Sequence, residues 1–143
     1  MAADLVAHIG QAKHNRSCAE YLLAASGMHD WSITMAFYSA LHYVEAALNT
    51  VNRSTLAAVS MDAYNAHHER RVALQSTSSK ESFTIYRKLE NACLDVRYLR
   101  NYRSASKIAP SLGYYSNVDA RQYVNMLADF VTELERVYRV NLG

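Results

Sequence analysis

Ile33-Thr-Met-Ala-Phe-Tyr-Ser-Ala-Leu-His-Tyr-Val-Glu-Ala-Ala-Leu48 is the stretch that decides the fold class. Ile33, Ala36, Phe37, Ala40, Leu41, Val44 and Leu48 fall on one broad side of a 3.6-residue helix. Tyr38, His42 and Glu45 border that stripe on a neighbouring face. A helix this apolar, with aromatics and small residues mixed, belongs at the centre of a bundle. Asp30 is placed to cap it, and the pattern runs to about Asn52.

Upstream, residues 3–26 read as a first helix, with Leu5, Ile9, Ala12, Ala19 and Leu23 at helical spacing and Arg16 interrupting the stripe. Gly27 is placed to stop it, and the short connection makes the first two helices antiparallel neighbours. Downstream, residues 53–60 read as a loop. Ser60 opens a shorter helix, about 61–76, that holds His67-His68-Glu69-Arg70-Arg71. After Ser76-Thr-Ser-Ser79, Ser78-x-x-Glu81 has the form of a capping box. The next helix runs to about Asn101–Ser104, with Phe83, Tyr86, Leu89, Cys93 and Val96 on its buried side.

A loop over 105–115 contains Pro110 and Gly113, and Ser116 with Asp119 starts the last helix. There Ala120, Val124, Leu127, Val131, Leu134 and Tyr138 form one row, and Tyr123, Phe130 and Val137 a second. A face that wide serves two helices, or one helix and a second subunit, and on that ground we expect a homodimer. The expectation is an all-α, up-and-down bundle of four long helices plus a short one. It forms a single domain over residues 1–143, with Phe37, Leu41, Val44, Leu89, Val96, Val124, Leu127 and Val131 in one core.

Composition excludes several classes. Four Gly and one Pro in 143 residues lack the punctuation of an all-β or disordered chain. No run approaches ~18 apolar residues, so no membrane span is expected, and the N-terminus lacks the pattern of a signal peptide. Cys18 and Cys93 sit in apolar helical runs and read as reduced core residues of a cytoplasmic protein. A formal charge of +2 places any nucleic-acid affinity in a local patch.

Such a patch exists. In Asp95-Val-Arg-Tyr-Leu-Arg-Asn-Tyr-Arg-Ser104, Arg97, Arg100 and Asn101 share a helix face, and Arg103 and Lys107 extend the charge. No acid lies between Asp95 and Asp119. Planar donors in a cationic strip suit a phosphate or carboxylate. The competing reading pairs Arg97 with Glu45 or Glu90 inside the bundle.

Metal and cofactor signatures are missing. His68-Glu69-Arg70-Arg71-Val72 lacks the second histidine of H-E-x-x-H, and there is no E-x-x-H, CxxC, P-loop or GxGxxG. No cofactor and no metal is expected. Adjacent His67 and His68 point in different directions, and each reads as a surface or interhelix residue. His42 reads as a hydrogen-bonded core histidine.

Ala36-Phe-Tyr-Ser-Ala-Leu-His42 with Val44-Glu-Ala-Ala-Leu48 resembles the second helix of HEPN domains. His67-His68-Glu69-Arg70 resembles the short histidine-bearing piece that follows it, and Leu94-Asp-Val-Arg-Tyr-Leu-Arg-Asn-Tyr102 resembles the Arg-then-Tyr signature of the next long helix. The resemblance covers nearly the whole chain. It implies a helical bundle, commonly dimeric and concerned with RNA. Many such domains are metal-independent ribonucleases in toxin–antitoxin, defence or RNA-processing systems. Others are binding modules beside a nucleotidyltransferase. The usual active motif is Arg, four to six residues, then His, from both protomers at a shared cleft. Arg97 matches the arginine, but positions 102 to 104 are Tyr, Arg and Ser, and no histidine follows His68.

Self-cleavage of RNA needs a base, an acid and cationic stabilisation of phosphate. Arg97 and Arg100 suit the last role. Tyr102, with an unperturbed pKa near ~10, is a poor base at neutral pH, and His67 or His68 would have to enter from the short helix. Three readings stay open. The first is an RNA-associated dimeric module with little or no nuclease activity. The second is an active endoribonuclease using Arg97 with Tyr102, His67 or His68. The third is an adaptor for a nucleotidyltransferase, an antitoxin or another protein.

Overall fold

The computed structural model describes residues 2–25, 27–51, 63–98 and 117–143. They form five helices: α1 (Ala2–Ala24), α2 (His29–Leu48), α3 (Ala63–Thr77), α4 (Lys80–Tyr98) and α5 (Asn117–Tyr138). No strand occurs among the described residues. The protein is an all-helical bundle, and no described helix is long and apolar enough to cross a membrane.

α2 is the central helix, packed against each of the other four. Its partnership with α1 is set by small residues. Gly27 takes φ 75°, which costs a glycine little, and the chain reverses there. The Ser32 hydroxyl then donates to the Ala19 carbonyl at 2.7 Å, and the Ser39 hydroxyl to the Ala12 carbonyl at 2.8 Å. A step of seven up α2 matches a step of seven down α1, which fixes an antiparallel register. Ala12 and Ala19 are buried, so the backbones approach closely enough for a serine hydroxyl to span the seam.

All eight residues expected in the core lie in one buried cluster. Phe37, Tyr86 and Phe130 run through it as a row of tilted rings, with centroids 5.6 Å and 6.1 Å apart. Phe130 is fully buried, Tyr123 packs against the cluster, and Val137 is half-buried. The second row of the last helix is therefore largely absorbed within the chain and does not by itself require a partner subunit. Cys93 is buried, but Cys18 is only half-buried, its sulfur 3.7 Å from His14 Nε2, so it is not the core residue expected.

Helix ends depart from expectation in three places. Met28 occupies the N-cap of α2 with no side-chain cap, and Asp30 lies inside the first turn, where a carboxylate favours the positive end of the dipole. α2 ends at Leu48 rather than about Asn52: beyond it the backbone tightens to i−3 bonds, Thr50 N to Ala47 O at 3.0 Å and Val51 N to Leu48 O at 3.1 Å, and side chains add to the last carbonyls. Asn49 Nδ2 donates to Glu45 O at 3.1 Å, and Thr50 Oγ1 to Ala47 O at 2.6 Å. Ser79, not Ser78, caps α4: its Oγ accepts the Ser82 amide at 3.1 Å. Ser78 is still committed to α3, its amide bonded to Leu74 O at 2.9 Å. The expected loops at 53–60 and 105–115, and the Ser60 and Ser116 caps, lie outside the described residues.

Candidate functional site

On α4, Glu90, Cys93, Leu94, Arg97 and Tyr98 recur at helical spacing and share one face. Opposite them stand Phe37 and Tyr38 of α2 and, four residues apart on α3, His67 and Arg71. Together they line a cavity of about 220 Å³.

Its floor is charged and paired. Glu90 is 3 % exposed and receives Arg71 Nη1 at 3.0 Å as well as Arg87 of its own helix. Outside the cavity lining, half-buried Glu45 accepts Arg70 Nε at 2.7 Å. Glu45 and Glu90 are thus taken by other arginines, and neither forms an ion pair with Arg97.

Arg97 stands exposed at the rim. Its Nη1 donates to the Tyr38 hydroxyl at 2.5 Å. Its Cζ lies 5.7 Å from the Tyr38 ring centroid and 5.1 Å from that of Tyr98. Among the described residues it forms no ion pair with a carboxylate, and two phenol rings position the cation. Cys93 sits beside it, and burial pushes that thiol up to about 11, which keeps it protonated and unreactive at neutral pH.

His67 enters the cavity, and its ring stacks on Phe37 at 6.4 Å between centroids, tilted 28°. Arg70 Nη1 lies 3.2 Å from His67 Nδ1. A guanidinium can only donate, so Nδ1 is the acceptor and the neutral ring carries its proton on Nε2. Burial, then the charge of Arg70, holds this histidine below the usual range. It is a neutral hydrogen-bond donor at pH 7, and its one basic nitrogen is occupied.

The structure therefore brings Arg97 and His67 to one cavity. His68 is exposed and does not line it. Arg100, Asn101, Tyr102, Arg103 and Lys107 lie outside the described residues. Sequence reasoning missed Phe37, Tyr38 and Arg71 as cavity walls. It considered Glu90 only as a partner for Arg97. The available signal was the stripe Glu90, Cys93, Leu94, Arg97 and Tyr98, which mixes charge and aromatics on one face. Among the described residues no group of three or more His, Cys, Asp or Glu side chains is arranged to hold a metal ion. Compared with protein-family models, with curated proteins and with solved structures, the chain matches none.

Proposed function

We propose that the chain is a HEPN-like module that binds RNA at the Arg97 cavity and has little or no nuclease activity. The observation that supports it is the state of Arg97: an exposed guanidinium, held by Tyr38 and Tyr98 beside an aromatic-walled cavity, with no ion pair to a carboxylate among the described residues. A planar cation with open donors suits a phosphate, and aromatic walls suit a base. In sequence Arg97 leads into Arg100, Asn101, Arg103 and Lys107, which extend the same charge along the chain. The proposed module works as a homodimer, an element that rests on the resemblance, and a nucleotidyltransferase or an antitoxin is the kind of protein partner it would serve.

A second reading, metal-independent RNA cleavage, draws on His67 sharing the cavity with Arg97. The tautomer set by Arg70 counts against it, because a base needs a free basic nitrogen. Incubating the protein with single-stranded RNA in EDTA separates the two: intact RNA supports the binding module, and cleavage lost in His67→Ala supports the enzyme. Titration of RNA affinity against salt tests the binding itself, since phosphate contacts weaken steeply as salt rises. Absence of salt-sensitive binding would favour the adaptor, and light scattering reads the oligomeric state.

A further inference from the structure

His8 of α1 and His42 of α2 meet one step beyond the serine–alanine seam, away from the cavity. Their Nδ1 atoms are 3.0 Å apart, their ring centroids 5.3 Å apart, and their planes tilted by 31°. The centroid separation equals the N···N distance plus about one ring radius at each end, so the two nitrogens face each other along a line. A metal ion would need lone pairs that converge on a third point about 2 Å from each nitrogen. These rings are collinear instead, and what fits between them is a proton. One ring donates Nδ1–H, and the other accepts at Nδ1 and carries its own proton on Nε2.

We infer that the His8–His42 contact is a proton-counting clasp that releases α1 from α2 in acid. The first added proton goes to Nε2 of the donor ring and leaves the N–H···N bond in place, now charge-assisted. The second must go to the accepting Nδ1. It places two N–H groups head-on, removes the bond and sets two imidazolium charges against each other.

The surroundings reinforce that limit. Burial, then His8, then Arg70 of α3 hold His42 below the usual histidine range, with Glu45 of its own helix opposing. Glu45 is already paired with Arg70, so its charge is largely balanced. α1 is the element that yields, because its buried residues are mainly small: Ala12, Ala19 and Leu23, with Leu5 and Ile9 half-buried. Little large apolar surface opposes its local opening.

The test uses the full chain, with histidine-nitrogen NMR and amide hydrogen exchange from about pH 8 to pH 5. We expect His8 and His42 in opposite tautomers near neutrality. On acidification, α1 amides should gain exchange about tenfold more than α5 amides. In His8→Phe that difference should vanish and the His42 titration should shift. Matching tautomers, equal acceleration in α1 and α5, or an unmoved His42 titration in the variant would overturn the clasp. Should His8→Phe not fold, the tautomers and the exchange ratio of the unaltered protein decide it alone.

Discussion

Replacing Arg97 by alanine separates a ligand residue from a structural one. The side chain is exposed, donates to the Tyr38 hydroxyl and lies over two aromatic faces. A hydrogen bond of this kind contributes about 1 kcal/mol net, and a cation over an exposed ring about 0.5–1 kcal/mol. These overlap, because one guanidinium makes them all, so the expected loss of stability is about 1–2 kcal/mol. For a chain of this size that lowers Tm by roughly 3–6 °C. Binding should suffer more. A charge-assisted hydrogen bond to phosphate is worth about 1.5–3 kcal/mol, or roughly ten- to a hundredfold in affinity. The slope of log K against log salt should shrink by about 0.7 for each single-strand phosphate that is no longer neutralised. Fluorescence anisotropy with labelled single-stranded RNA, at about 50 to 200 mM salt, measures both, and thermal melts measure stability. Arg97→Lys keeps the charge but not the planar fork, so it should retain the slope and lose part of the affinity. A melting temperature lowered by more than about 10 °C, with RNA affinity unchanged, would refute the reasoning.

Glu90→Gln should destabilise by about 3–5 kcal/mol, because it leaves Arg71 and Arg87 facing each other around a buried neutral group; a urea midpoint shifted by less than about 1 kcal/mol-equivalent would count against that role. Phe130→Ala should cost about 3–5 kcal/mol with no change in the mass seen by light scattering, since the ring is buried within one chain; a changed mass would place it at an interface. Stability should also fall in acid. His42 and His67 are both held below 6.5, by burial first. The unfolded chain therefore takes up their protons before the folded one does. This contribution is fully present above pH 6.5 and is lost as pH falls toward the lowered folded values, which urea midpoints between about pH 8 and pH 5 will show; a flat profile would refute it.

Much of the fold was legible because one periodicity dominates α2, and a helix apolar on so broad a face has few places to go. The core residues from Phe37 to Val131 followed from the same spacing. Helix ends were less legible. Asp30 and Ser78 have the right chemistry for caps, but cap geometry depends on which residue is still bonded to the preceding turn or helix, and Ser78 is bonded to Leu74. Arg97 was legible as a candidate from its face. Its freedom from Glu45 and Glu90 was not, because three other arginines compete for those acids and only the packing decides among them. The His8–His42 contact was invisible for a related reason. Helical spacing relates residues along one helix, whereas this pair depends on the register between two.

That register has a consequence for protein engineering. Positions 12, 19, 32 and 39 act as a gauge that sets how near two backbones lie, so the permissible alphabet there is narrow. Alanine at 32 or 39 would keep the spacing and lose one hydroxyl bridge, whereas leucine at 12 or 19 would push α1 outward along much of its length. A library that randomises the outer face of α1 should leave the architecture intact. One that enlarges the side chains at these four sites would in effect sample different bundles, in which His8 would no longer meet His42.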